Sequence, residues 1–190
     1  FRRRGSADHE EEHRPGRAHV FTPNAKLQVL EEILTEAVNQ KVLIWCRFRE
    51  EVKLARALLA KLRLVTVELT GDAPAEGRAG IVRAFQEDPS VRVLLGQVTT
   101  GGLGITLTSA SLVIYLSNTY SLEDRLQSED RCHRIGQAKS VTYVDIVATL
   151  SSGAPTVDQD VLEVLRSKEA FAREVSLAIA RRLTKRHADA

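Results

Sequence analysis

The chain has no methionine, one tryptophan and two cysteines among its 190 residues. Two cysteines in a chain this long do not make a disulfide scaffold, which needs more of them in fewer residues. Neither Cys46 nor Cys132 has a second cysteine at metal-ligand spacing, so we expect two free thiols in a reducing compartment. No apolar run approaches the roughly 18 residues of a membrane span, and no basic-then-apolar signal segment opens the chain. A dominant charge is lacking too: 27 Lys plus Arg face 25 Asp plus Glu, a formal net charge of +2. That balance excludes a histone-like polybasic binder, and any nucleic-acid contact has to come from a local patch. With no methionine and with Phe1 in first place, the chain is expected to be a piece of a longer protein.

What is present is the patterning of one α/β domain with extensions. Residues 1–19, FRRRGSADHEEEHRPGRAH, hold almost no apolar side chains and are expected to form a flexible charged leader. Its histidines, His9, His13 and His19, have no rigid element to make a metal site of them. From Asn24, a candidate N-cap, Leu27, Leu30, Ile33, Leu34 and Ala37 recur at helical spacing. The period then changes. Residues 42–46, 65–69, 91–95, 112–116 and 141–147 read as five strands, several continuously apolar, as in a parallel sheet covered on both faces. Helical segments over 50–62, 76–85 and 121–133 lie between them, the second weakened by Gly77 and Gly80. Strands alternating with helices imply a doubly wound α/β fold over residues 20–150. Residues 151–190 form a helical extension, entered through a capping box of Thr156 and Gln159.

Ligands of open parallel sheets bind outside the carboxyl ends of the strands, and two loops assigned to such positions carry candidate chemistry. QVTTGGLGITLT, residues 97–108, follows the third strand, and Gly101, Gly102 and Gly104 let backbone approach a ligand and offer amides to a phosphate. The pattern by itself is equally that of a tight turn, because it lacks the Gly-Lys-Ser/Thr ending of a P-loop. After the fourth strand, Arg131 and Arg134 are expected one turn apart on one helix face. They are either directed at an anion such as phosphate or paired with Glu129 and Asp130 on a solvated face. Cys132 and His133 are adjacent on that helix and point apart, so they are not read as metal ligands.

The whole string is more specific than its parts. LQSEDRCHRIGQ, residues 126–137, closely resembles the last motif of the Swi/Snf-type branch of superfamily-two helicases and translocases. The resemblance continues in order: NAKLQVLEEIL is similar to the lead-in helix and KVLIWCRF to the first strand of the family's second RecA-like lobe. LTGDAPAEGRAGIVRAFQ resembles the second-strand motif, with Arg78 and Phe85, and TTGGLGITLT the glycine motif. It covers about residues 22–150. It implies a RecA-like parallel sheet of about five strands with helices on both faces, plus a long C-terminal helix.

Residue by residue, the resemblance implies that Arg131 and Arg134 are paired arginine fingers reaching to an ATP bound mainly by another lobe. Gln137 closes the same motif, and Gly102 and Gly104 line that cleft and couple it to the DNA track. Thr70, Gly71, Thr99 and Thr100 fall where the family contacts phosphates of one DNA strand. The implied cofactor is ATP with Mg²⁺, whose ligands are expected in an N-terminal RecA-like lobe, in cis or as a separate chain. No Gly-Lys-Thr P-loop and no Asp-Glu-x-His box occur in this sequence. The implied partners are that lobe and double-stranded DNA, with no membrane, in a cytoplasmic or nucleoid-associated setting. Two departures, SNTYS (with Tyr120) in place of Asp-Trp-Asn-Pro and QVTT in place of Ser-Thr-Arg-Ala, point to a phage- or bacterial-type member.

The function implied is that of the second lobe of an ATP-dependent DNA translocase or helicase, with the chain by itself inactive. The alternative is a non-catalytic nucleic-acid or protein-interaction domain that keeps the fold. The extension fits two roles. Val161, Leu162, Leu165, Val175, Leu177, Ile179 and Leu183 give it an apolar face, expected to brace the lobe. Arg166, Lys168, Arg173, Arg181, Arg182, Lys185 and Arg186 make it a candidate DNA-facing strip.

Overall fold

Asn24 caps the first helix with its side-chain oxygen, which accepts a hydrogen bond from Leu27 N at 3.3 Å. The structure, a computed structural model, describes residues 24–71, 75–98, 104–134, 136–137 and 139–188, without the side chains of 75–76 and 179–188. The leader over 1–19, and with it His9, His13 and His19, lies outside the described residues. So do Thr99, Thr100, Gly101 and Gly102, and the side chains of Ile179, Arg181, Arg182, Leu183, Lys185 and Arg186.

The elements run α1 (Ala25–Glu36), β1 (Val42–Cys46), α2 (Arg49–Lys61), β2 (Thr66–Leu69), α3 (Ala75–Glu87), β3 (Val93–Gln97), β4 (Leu112–Tyr115), α4 (Leu122–Asp130), β5 (Thr142–Asp145) and α5 (Val157–Ala188). The five strands form one all-parallel sheet in the order β2-β3-β1-β4-β5. This is the parallel α/β arrangement expected from the alternation of periods, with the five strands that the family resemblance implies.

The apolar strands serve two cores because successive side chains point to opposite faces. Val42, Ile44 and Cys46 of β1 pack with α1 and α2 around Leu30, Leu34, Val52, Ala55 and Leu59. Leu43 and Trp45 face the other way, towards Phe85 of α3 and Leu107, Tyr115 and Cys132. β3 begins and ends two residues later than its pattern predicts. Val91 is buried just before the strand, whereas Gly96 and Gln97, which resemble turn residues, continue the ladder opposite Trp45 and Cys46. α2 closes with Arg63 in the left-handed region (φ 55°), where Arg63 N donates to Ala60 O and Leu64 N to Leu59 O. That pair of bonds satisfies the carbonyls a helix end leaves open.

α5 starts with the expected box: Thr156 N donates to Gln159 Oε1 at 2.9 Å and Gln159 N to Thr156 Oγ1 at 3.4 Å. Lys26 of α1 pairs with Asp158 at 2.6 Å, and Val161 and Leu165 are buried. The brace expected along the whole apolar face is corrected beyond this point. Residues 166–178 are all exposed, Phe171 to 69 %, with Val175 and Leu177 also in the open. A helix of this length spans about 48 Å, and among its described side chains the buried ones end at Leu165, although Lys168 Nζ still donates to Tyr120 O at 2.6 Å. Among the described residues, no helix is long and apolar enough to cross a membrane.

Candidate functional site

The carboxyl ends of β2, β3 and β1 lie side by side because these strands are neighbours in the sheet. Thr70 and Gly71 follow β2, and the glycine loop follows β3. The segment Arg47, Phe48 and Arg49 follows β1. The backbone there is held firmly: the Glu51 carboxylate accepts from Arg47 N at 3.2 Å, Phe48 N at 3.1 Å and Ser117 Oγ at 2.5 Å. Arg47 also donates from N to Ser117 Oγ and lies 5.1 Å from the Phe48 ring centroid. Arg78 Nη2 donates to Gly71 O at 3.3 Å. Arg47, Phe48 and Arg49 lie outside the motif positions expected to carry the site, and their signal in the sequence is a cationic-aromatic triplet directly after a buried strand.

The second half of the site is elsewhere. β4 and β5 are parallel, so the chain between them returns to the amino edge of the sheet, and α4 carries it there. The motif from Leu126 to Gln137 therefore does not stand at the carboxyl edge; Gln137 ends beside Ala110, just before β4 begins. Its Nε2 donates to Ala110 O at 3.0 Å and Cys132 O at 3.2 Å, while its Oε1 accepts from Lys139 N at 2.9 Å.

Nor do Arg131 and Arg134 share a helical face. α4 ends at Asp130, and 131–134 form a turn in which Cys132 N and His133 N both donate to Glu129 O. Two contacts stop the helix. Cys132 is drawn into the core, and Leu107 N donates to Arg131 O at 2.8 Å, taking a carbonyl that a continuing helix would use. The two guanidiniums consequently differ in their surroundings, one buried and the other exposed. Arg134 is exposed, with Nη1 3.4 Å from Thr106 Oγ1. Arg131 is 3 % exposed, its Cζ 5.6 Å from the Trp45 ring centroid, and its Nη1 has no hydrogen-bond partner among the described residues. Burial, the largest influence, lowers the Arg131 pKa, and the charge of nearby Arg134 pushes the same way.

The solvated-face pairing of these arginines with Glu129 does not occur. Glu129 is taken by Arg125 at 2.5 Å, and Arg125 also holds Asp145 at 2.5 Å and Asn118 at 2.9 Å while stacking 3.7 Å over Tyr115. Tyr115 in turn shares a hydrogen bond with Ser128 at 2.6 Å. This network fastens α4 to β4 and β5 and leaves Arg134 without a carboxylate among the described residues. Gly104 is exposed, and a Cβ added there would meet nothing within 4 Å, so local packing places no demand for glycine at that position. Cys46 and Cys132 are free and buried, and burial pushes both thiols up, Cys132 to about 12. No group of metal-ligating side chains occurs among the described residues.

Residues 25–136 match the family model described as the helicase conserved C-terminal domain. The ATP-dependent helicase fft2 of Schizosaccharomyces pombe is 32 % identical over 126 residues, covering 65 % of this chain and 10 % of that protein. The SWI/SNF-related matrix-associated actin-dependent regulator of chromatin subfamily A-like protein 1 homolog of Caenorhabditis elegans is 29 % identical over 143 residues, covering 75 % of this chain and 20 % of that protein. The chain thus spans a tenth to a fifth of the length of these relatives. The solved C-terminal part of the Fun30 ATPase domain shares the fold, with a TM-score of 0.69 at 23 % identity over 75 % of this chain and 45 % of that one. The relatives named here are a fungal and an animal protein, so they lend no support to the expected phage- or bacterial-type origin.

Proposed function

The chain belongs to the helicase conserved C-terminal domain family, and from that premise we propose that it is the second lobe of an ATP-dependent DNA translocase. In this reading Arg134 reaches across a cleft to the phosphates of an ATP held mainly by a partner RecA-like lobe. Arg131, Gly102, Gly104 and Gln137 belong to the same side of that cleft. The observation that supports it most is the state of Arg134: exposed, tied to Thr106 and lacking a carboxylate partner among the described residues. A guanidinium that spends one donor on a hydroxyl and none on a carboxylate among the described residues keeps donors for phosphate oxygens. The fork would stabilise charge that develops during phosphoryl transfer, a contribution on the order of 10³ to 10⁵ in rate for an arginine finger. Bound Mg²⁺ would neutralise phosphate charge, and its ligands belong to the partner lobe in this reading.

Double-stranded DNA would lie along the carboxyl edge of β2, β3 and β1. Thr70, Gly71, Thr99 and Thr100 would contact phosphates there, joined by Arg47 and Arg49. These groups hold a backbone without reading base edges. Glycine loop and arginine turn are next to one another in the chain's own bonding, since Thr106 and Leu107 both contact the 131–134 turn. Closure of two lobes on ATP could therefore shift the DNA-facing loop. A leader over 1–19, a lobe over 20–150 and a helical extension over 151–190 complete the proposal, placed with DNA inside the cell.

The test is steady-state ATPase activity with DNA in the two-lobe protein, comparing wild type and Arg134→Lys. Lysine keeps the charge but loses the fork, so kcat should fall by well over tenfold while KM for ATP changes little. Near-wild-type turnover would remove the finger assignment and leave a fold that works as a non-catalytic interaction domain.

A further inference from the structure

Arg131 and Trp45 each bury a polar hydrogen that nothing among the described residues satisfies. Arg131 Nη1 and Trp45 Nε1 are both without a hydrogen-bond partner among the described residues. A buried guanidinium with no carboxylate is costly; Glu129, two residues before Arg131, is committed to Arg125, and no ion pair joins Asp130 to Arg131 among the described residues. What Arg131 has is the indole face, within the roughly 6 Å over which a ring attracts a cation; tryptophan does this best, and more strongly when water is excluded. The indole cannot retreat. Trp45 is aligned with Gly96 on one neighbouring strand and Tyr115 on the other, and it fills the space where a Gly96 side chain would be.

From this fixed plate a chain of contacts leads outward. Arg131 O accepts from Leu107 N at 2.8 Å, and Thr106, one residue before, faces Arg134 Nη1 at 3.4 Å. We propose that Trp45 is a positioning residue for Arg134: its indole holds the Arg131 guanidinium against the sheet, and Arg131 thereby fixes the turn from which Arg134 projects. Arg131 is then an anchor and not a second phosphate contact, which departs from the paired-finger expectation. The inference rests on the role given to Arg134 above.

The experiment compares Trp45→Phe, Trp45→Leu, Arg131→Met and the Trp45→Leu/Arg131→Met double variant for DNA-stimulated ATPase activity in the two-lobe protein. Trp45→Leu and Arg131→Met should each lower kcat roughly tenfold with KM for ATP unchanged. Trp45→Phe, which retains a ring and is the gentler change to the core, should fall between them and wild type. The double variant should be no slower than the slower single one, because both changes remove the same contact. Multiplying effects, or an Arg131→Met loss far beyond that of Trp45→Leu, would overturn the proposal and return Arg131 to the phosphate.

Arg134→Lys in the same assay keeps the two readings apart. Full turnover there defeats the function, whereas its loss alongside wild-type turnover in both Trp45 variants defeats only the anchor. A second readout needs no turnover. Trp45 is the one tryptophan of this chain, so Arg131→Met should alter the intrinsic emission of the 190-residue protein. Unchanged emission would mean that the guanidinium does not rest on the indole.

Discussion

Gly96 lies against Trp45 so closely that a Cβ on Gly96 would come within 2.6 Å of Trp45 Cζ3, and within 3.2 Å of Leu69 O. One strand surrenders its side chain so that the next can bury an indole, and the indole then forms the floor beneath Arg131. Gly96→Ala should therefore destabilise the fold by about 1 to 3 kcal/mol, the usual range for overpacking a tight core. Urea unfolding followed by far-UV circular dichroism would register this as a lower midpoint with an unchanged slope. An unaltered midpoint would mean that Trp45 has room the structure denies it.

Gly80 makes the opposite case. It sits in α3, exposed, and an added Cβ would meet nothing within 4 Å. Gly80→Ala should stabilise the chain by about 0.5 to 1 kcal/mol, through reduced freedom of the unfolded state and better helix propensity. The same urea titration checks it, and a loss of stability would be the contrary result.

The chain alone should not turn over ATP. Among the described residues there is no cluster to hold Mg²⁺, and no Gly-Lys-Thr cradle occurs in the sequence. Phosphate release measured with the purified 190 residues, with and without duplex DNA, should stay at the uncatalysed level. Adding the partner lobe should restore it, and robust turnover without that lobe would sink the two-lobe reading.

Duplex DNA should bind modestly, without sequence preference, and more weakly as salt rises, because phosphates are the proposed contact. Arg47→Ala should weaken binding evenly across sequences and reduce the log-log salt slope by about 1. Fluorescence anisotropy at several salt concentrations measures both. A slope that does not change on removing Arg47 would take that residue out of the DNA path.

The buried thiol of Cys132 supplies a pH dependence. Burial raises its pKa from the ordinary 9.0 to about 12. Between those values the unfolded chain has released a proton that the folded chain keeps. The contribution is fully present below about pH 9 and is lost as pH climbs towards 12, at up to roughly 1.4 kcal/mol per pH unit for one group. Cys132→Ala should flatten that alkaline slope in unfolding experiments. Native protein near pH 8 should also resist thiol reagents until denaturant is added.

Much of this protein could be read along the chain. Strand and helix identity follow from side-chain period, which is local: β1 and α1 are found where Val42–Cys46 and the stripe from Leu27 to Ala37 place them. The order of glycine and arginine motifs was equally visible, and with it the family. What the linear pattern could not decide was the fate of each charge. Glu129 stands next to Asp130 and two residues before Arg131, yet Arg125 takes it, because Asp145 and Tyr115 from two other strands complete a better site around that guanidinium. Helical spacing put Arg131 and Arg134 on one face, but the burial of Cys132 and the bond from Leu107 ended the helix and left one buried and the other exposed. The apolar positions of α5 likewise promised a brace, whereas among its described side chains burial ends at Leu165. Periodicity says which side of an element is apolar; only the packed sheet determines whether anything is there to meet it, and which of several equivalent partners a charge will find.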